Sequence, residues 1–272
     1  MSNQTEDMKK LIVKLRDMTG AGIMDCKKAL VAADGDFDKA CDAIRIKYGK
    51  SAESKASRSA TEGKVSIKKG QSDIALVVVN CETDFVSRGD AFQEFAKEVA
   101  EVAYTNKIDS VDALLEQPCG DGTVESARVE LVGRVGENIK ISEVYYQSHE
   151  GEFVTVYSHG EKVACAVFTD VDNEAVGKDI GMHIVAMNPL AVLPEDVPAD
   201  IIEREKAIML SQTEQMGKPE FAERIVAGKM AKFLKEVCLL DQSFVKDTTM
   251  TINEYLKSSN ARVLRFIRVE LS

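Results

Sequence analysis

A pattern that occurs twice sets the tightest limit on how this chain folds. Residues 62–67 alternate as a strand does, with Val65 and Ile67 on one side. The turn Lys69-Gly70-Gln71-Ser72 leads to Ile74-Ala75-Leu76-Val77-Val78-Val79-Asn80, an apolar run that reads as a buried strand. A helix follows from about 90 to 104. Eighty-eight residues on, the order returns: a strand at 150–156, a turn at 159–161, a second strand at 163–168, then a helix carrying Ile180, Ile184, Val185 and Met187. Identity between the copies is weak, so the repeat rests on element order and spacing. A duplicated strand–strand–helix unit predicts an α+β fold made of two related subdomains.

Between the copies, residues 124–135 read as a helix. Gly136-Glu137-Asn138 breaks it, and Ile139, Ile141 and Val144 continue as a strand. The second copy carries an addition. From 200 to about 237 the sequence is helical, interrupted at Gly217-Lys218-Pro219. Ile201, Ile202, Ile208, Met209 and Met216 are the apolar positions before the break. Phe221, Ile225, Val226, Met230, Phe233, Leu234 and Val237 follow it. This predicts an antiparallel helical hairpin, a coiled-coil arm that packs on itself and on a partner. Two ordinary core helices are the other reading. A short helix near 252–256 and a strand at 263–270 end the chain.

The opening segment differs in charge. Residues 1–60 hold 12 Lys/Arg and 9 Asp/Glu, whereas the remainder holds 23 and 36. Three short helices are expected there. The first places Met8, Leu11, Ile12 and Leu15 inward and stops at Thr19-Gly20-Ala21-Gly22. The second runs from Ile23 to Ala33, with Ile23, Cys26, Ala29 and Leu30 on one face. Asp36 caps the third, with Phe37, Ala40, Ala43, Ile44 and Tyr48 inward. Residues 49–60 have almost no large apolar side chain and read as an exposed linker, helical in part. The divisions are a three-helix module at 1–52, a linker at 53–61, one core subdomain at 62–147 and a second at 148–272.

Composition narrows the function. A net charge of −10 argues against a general grip on nucleic acid, which depends on neutralising phosphates. No apolar run approaches the roughly 18 residues of a membrane helix, and the first ten residues lack the apolar stretch of a signal peptide. The six cysteines stand singly, with no Cys-x-x-Cys pair, so a zinc site is not expected and reduced thiols in the cytoplasm are. The three histidines, 149, 159 and 183, have no metal-ligand spacing, and His183 reads as a core residue. Neither a catalytic residue, a metal nor a cofactor is expected. A small helical module of this kind binds a partner more readily than it houses chemistry.

One segment stands out. After the buried strand the chain presents Thr83-Asp84-Phe85-Val86-Ser87-Arg88. Thr83 or Asp84 can cap a helix, with Phe85 as a staple into the core. Alternatively the loop protrudes, with Phe85 as a wedge and Asp84 as a charge for a partner.

Two long motifs then bear on identity. Met18-Thr19-Gly20-Ala21-Gly22-Ile23-Met24-Asp25-Cys26-Lys27-Lys28-Ala29-Leu30 and Asn80-Cys81-Glu82-Thr83-Asp84-Phe85-Val86 resemble the two signatures of the elongation factor Ts family. Val135-Gly136-Glu137-Asn138, Ser158-His159-Gly160, Gly217-Lys218-Pro219 and Phe266-Ile267-Arg268 extend the resemblance along the whole chain. It implies a guanine-nucleotide exchange factor that binds elongation factor Tu, GDP-bound and nucleotide-free. It also implies a ubiquitin-associated-like N-terminal module, two related subdomains and an inserted coiled coil. By the resemblance, Thr83, Asp84, Phe85 and Val86 would dislodge magnesium from the partner, and Arg16, Ile23, Met24, Val135, Gly136 and His159 would bind it. Ile23 replaces a Met common in the family, a swap of similar size. Some members carry a further helical module after the Phe-Ile-Arg strand. This chain stops at Ser272, about where that module would begin. A dimeric structural or chaperone-like protein, self-associating through the hairpin, is the alternative from another class.

Overall fold

The computed structural model describes residues 2–215 and 222–272. Their contacts divide the chain into two units. The first runs to Ser148 and includes Glu270–Ser272; the second is His149–Val269.

The first unit opens with α1 (Ser2–Thr19), α2 (Ile23–Ala32) and α3 (Phe37–Lys55). Leu15, Cys26, Leu30, Ala40, Ile44 and Tyr48 form their core. Asp36 caps α3 by accepting the Lys39 N–H at 3.1 Å, because a short acceptor ahead of a helix satisfies one of its free donors. Two positions depart from the expected inward faces. Ala43 is exposed, since at about 100° per residue it lies well round the helix from the stripe of Ala40, Cys41, Ile44 and Tyr48. Ile23 is also exposed, because it sits in the first turn of α2, before the stripe of Cys26, Ala29 and Leu30. The helix α3 continues through residues 49–55, and Ala52 is buried in the next core.

That core lies between a sheet and two helices. Strands β1 (Glu62–Lys69) and β2 (Asp73–Cys81) form an antiparallel hairpin. A later strand, β5 (Lys140–Ser148), pairs with the far side of β2, giving the order β1-β2-β5. Every residue of β2 from Ile74 to Cys81 is buried, as a central strand of Val, Ile and Leu should be. After β2 come the short α4 (Asp84–Ser87), α5 (Asp90–Asn106) and α6 (Val111–Leu115). A two-residue ladder of β3 (Pro118–Cys119) and β4 (Gly122–Thr123) precedes α7 (Val124–Val135). Phe92, Phe95, Ala96 and Val99 of α5 and Leu131 and Val132 of α7 fill the core with Ala75, Val77 and Val79 of β2.

In the second unit, β6 (Phe153–His159) and β7 (Val163–Thr169) form an antiparallel hairpin with α8 (Glu174–Met187) packed on it. Strand β6 starts three residues later than expected and runs on through His159, so the turn begins only at Gly160. Helices α9 (Ala199–Gln215) and α10 (Ala222–Val237) pack against each other. Met216, Phe221 and the Gly217-Lys218-Pro219 turn lie outside the described residues. Near the base, Ile201, Ile202, Leu234 and Val237 pack on Ala191, Val197 and Cys238. Farther out, Met209, Ile225 and Met230 are only half-buried, and Ile208 and Leu210 are exposed. A small ladder of β8 (Ser243–Phe244) and β9 (Asp247–Thr251) leads to α11 (Ile252–Ser258). The last strand, β10 (Val263–Glu270), completes the sheet β10-β7-β6.

His183 of α8 is fully buried, as its place on an apolar face predicts. The Val245 N–H donates to its Nδ1 at 3.2 Å, so the proton sits on Nε2, which donates to Gln242 Oε1 at 2.9 Å. Gln242 passes the chain on by donating to the Glu236 carbonyl at 2.7 Å.

Candidate partner-binding site

The segment that the sequence singles out sits at the end of β2. Thr83 is the N-cap of α4: its hydroxyl accepts the Val86 N–H at 3.4 Å. The capping reading of Thr83 therefore holds, but the staple reading of Phe85 does not. Phe85 is 85% exposed, the most exposed large apolar side chain among the described residues. The reason is geometric. In a four-residue helix only one side meets the core, and Val86 and Ser87 take it: Val86 packs partly buried against the cluster beneath, and Ser87 is buried. Phe85, one residue earlier, is turned outward by the 100° step of the helix. Asp84 is also at the surface, paired with Arg88 one turn later at 3.1 Å, an exposed pair worth little in isolation.

A helix this short has no stability of its own. Bonds from outside hold it. Glu137, from the segment after α7, accepts the Glu82 N–H at 3.1 Å and the Thr83 N–H at 3.0 Å with Oε2. Its Oε1 accepts the Thr83 hydroxyl at 2.6 Å. Glu82 returns the bond by accepting the Asn138 N–H at 2.7 Å, and Asn138 donates its side-chain amide to the Arg58 carbonyl at 2.9 Å. Below the turn, the Cys81 thiol donates to the Thr83 carbonyl at 3.1 Å. Burial first, and the nearby Glu137 charge second, push that thiol up to about 12, so it stays protonated and able to donate.

The other candidate residues are placed as follows. Val135 is the last residue of α7 and packs partly on the core. Gly136, exposed, caps the helix with φ 79°, a left-handed conformation that favours glycine. The next residue is Glu137, so the 135–136 turn and the Thr83 turn are tied together directly. On the helical module, Arg16, Ile23 and Met24 are all exposed, Ile23 at 55% and Met24 at 62%. The module rests on α7: its Tyr48 ring fills the space over Gly133, and the Arg134 side chain lies where a side chain on Gly20 would be. Gly20 donates its N–H to the Arg16 carbonyl at 2.7 Å. Within the first unit, the end of α7 thus joins the helical module, the 135–136 turn and the Thr83 turn. His159 lies in the second unit, exposed at the end of β6.

Sequence reading treats Glu137 and Asn138 as the break after a helix and as part of a motif of the resemblance, with no role for either side chain. Nothing local marks Glu137 as the partner of Thr83, because the bond spans 54 residues.

The α+β fold thus presents a protruding aromatic on a braced turn, together with exposed apolar side chains on a docked helical module. The chain belongs to the elongation factor Ts family. The family model described as "Elongation factor TS" matches residues 82–272. An elongation factor Ts of Idiomarina loihiensis is 42% identical over 263 residues, covering 96% of this chain and 89% of that protein. That of Hydrogenovibrio crunogenus is 38% identical over 265 residues, 96% of this chain and 90% of the relative. That of Burkholderia thailandensis is 42% identical over 257 residues, 94% and 87%.

Proposed function

We propose that the chain is the guanine-nucleotide exchange factor of elongation factor Tu. It binds Tu carrying GDP, displaces magnesium and promotes GDP release so that GTP can bind. The observation that carries this reading is the exposure of Phe85 on a turn that the fold braces. Leaving a phenyl ring in water forgoes about 2 kcal/mol or so of burial, and a binding partner that buries it recovers that energy as affinity.

In this reading Phe85 wedges between helices of the partner's nucleotide domain. Asp84 exchanges Arg88 for a group on the displaced helix and disfavours the arrangement that holds magnesium. Thr83 and Val86 anchor the turn that delivers both. Arg16, Ile23 and Met24 bind the same domain from the helical module, Val135 and Gly136 allow close approach, and His159 reaches another domain. The work is done by preferential binding of the nucleotide-free partner, without covalent chemistry. Linkage makes it reciprocal: the factor weakens GDP by the ratio in which GDP weakens the factor.

The architecture assigned with this function is a ubiquitin-associated-like module at 1–52, a linker at 53–61 and related subdomains at 62–147 and 148–272. The pair of α9 and α10 is a coiled-coil arm, and its exposed Ile208 and Leu210 support self-association through it. The protein acts in the cytoplasm. Among the described residues no helix is long and apolar enough to cross a membrane.

The test is direct. Tu loaded with a fluorescent GDP and magnesium is mixed with this protein, and release is followed. Acceleration that saturates with protein concentration supports the reading; release at the spontaneous rate sinks it.

A further inference from the structure

We infer that Glu137 is a positioning residue for exchange: its carboxylate holds the Thr83–Val86 turn in the shape the partner needs. The inference rests on the function proposed above.

Glu137 makes three bonds to the turn, to the N–H groups of Glu82 and Thr83 and to the Thr83 hydroxyl. Bonds to an ionised carboxylate are about twice as strong as neutral ones. The turn's own bonds lie on its C-terminal side: the N–H groups of Ser87 and Arg88 donate to the Thr83 and Asp84 carbonyls, each at 3.2 Å. Glu137 takes the donors at its N-terminal side, where the Thr83 cap on Val86 is long at 3.4 Å and Phe85 stands 85% exposed. The clasp is mutual, since Glu82 accepts the N–H of Asn138, the neighbour of Glu137. Two segments far apart in sequence therefore fix each other, each carboxylate taking backbone donors of the other. Glu137 is half-buried beneath the turn, so its place is support rather than contact. A loose turn would have to be ordered on binding, and that cost subtracts from affinity.

A merely structural acid would serve the β2–β5 sheet as a whole; a positioning acid serves the turn. The two roles are separated by measuring amide hydrogen exchange on the free protein together with GDP release from Tu. In Glu137→Ala all three bonds are lost. In Glu137→Gln the shape remains and the amide oxygen can still accept the two backbone N–H groups, but the charge is gone and the NH2 group can only donate to the Thr83 hydroxyl. The expected result is faster exchange at the amides of Glu82, Thr83 and Val86, with the β2 amides from Ala75 to Val79 still protected. Stimulated GDP release at a fixed, subsaturating concentration falls about tenfold in Glu137→Ala, as for loss of a charge-assisted group, and less in Glu137→Gln.

Unchanged protection at Glu82 and Thr83 overturns the clasp. Lost protection with wild-type release overturns its role in exchange. Loss of protection across the whole sheet in both variants makes Glu137 a structural residue and also overturns the inference. Amide exchange is read without Tu, so it judges the clasp even if the wild-type protein releases no GDP. That separate result would overturn the functional reading, and the role of Glu137 in exchange with it.

Discussion

The ring of Tyr48, on the third helix, occupies the space that a side chain on Gly133 would need. Tyr48 is 4% exposed, and burial pushes its hydroxyl up to about 12. The contact joins the helical module to α7 near its C-terminal end, which leads within a few residues through Val135 and Gly136 to Glu137. Close packing of a ring on bare backbone has no slack for a methyl group.

Gly133→Ala should therefore destabilise the protein, although alanine favours a helix over glycine by about 1 kcal/mol. Forcing one atom into a packed junction costs about 1–3 kcal/mol. A net loss of up to about 2 kcal/mol in denaturant unfolding is expected, with faster proteolysis of the first 55 residues than of the remainder. A gain in stability with unchanged proteolysis would show that the module does not press on α7 in solution.

The buried His183 makes a prediction about pH. Burial is the main cause that lowers its pKa from 6.5, and the Gln242 bond opposes it more weakly. A histidine held below its unfolded pKa binds fewer protons folded than unfolded just beneath pH 6.5. Its contribution is thus present at higher pH and is lost as pH falls below about 6.5, with a slope of at most about 1.4 kcal/mol per pH unit. The geometry agrees, since a proton on Nδ1 would face the Val245 N–H. Unfolding free energies between pH 7 and 5.5 should fall more steeply for the wild type than for His183→Gln. Parallel slopes would place the acid sensitivity elsewhere.

The arm formed by α9 and α10 should be separable from exchange. Its base is held by Ile201, Ile202, Leu234 and Val237 and by the Leu190 N–H, which donates to the Val237 carbonyl at 2.8 Å. Replacing 203–233 with a short turn keeps these groups, so the second unit should still close. Sedimentation should show altered self-association, with GDP release from Tu largely intact. Self-association like that of the wild type would remove the arm from any dimer contact, and lost exchange in a folded variant would give the arm a direct role.

Much of this was legible from spacing alone. The alternating and continuous apolar runs mark β1, β2, β6 and β7 because buried strands need such residues. Asp36, Gly136 and the stripe of Cys26, Ala29 and Leu30 mark helix ends and faces for equally local reasons. The misreadings come from places where tertiary context decides. Residues 49–60 read as an exposed linker, helical in part, and α3 does run on to Lys55. What the lack of large apolar side chains hid is that small Ala52 is buried in the neighbouring core. Phe85 looks like a core aromatic by composition, yet a four-residue helix gives it no inward face. The Thr83 motif was visible as a motif, whereas the bonds of Glu137 to it join positions 54 and 55 apart and leave no periodic trace. Where Arg16, Ile23, Met24 and His159 would meet a partner came from resemblance; their exposure was not written in any spacing.

Phe85 offers the sharpest test of the proposed exchange mechanism. With the ring 85% exposed, Phe85→Ala should move the unfolding free energy by no more than about 0.5 kcal/mol. Loss of a buried anchor in the complex should cost about 2 kcal/mol or more, roughly thirtyfold in affinity. The decisive measurement is stopped-flow release of fluorescent GDP from Tu by wild type and Phe85→Ala, at matched folded concentration. The prediction is a wild-type protein that accelerates release and an equally stable variant that does so at least about tenfold less. Wild-type release by Phe85→Ala would contradict the wedge.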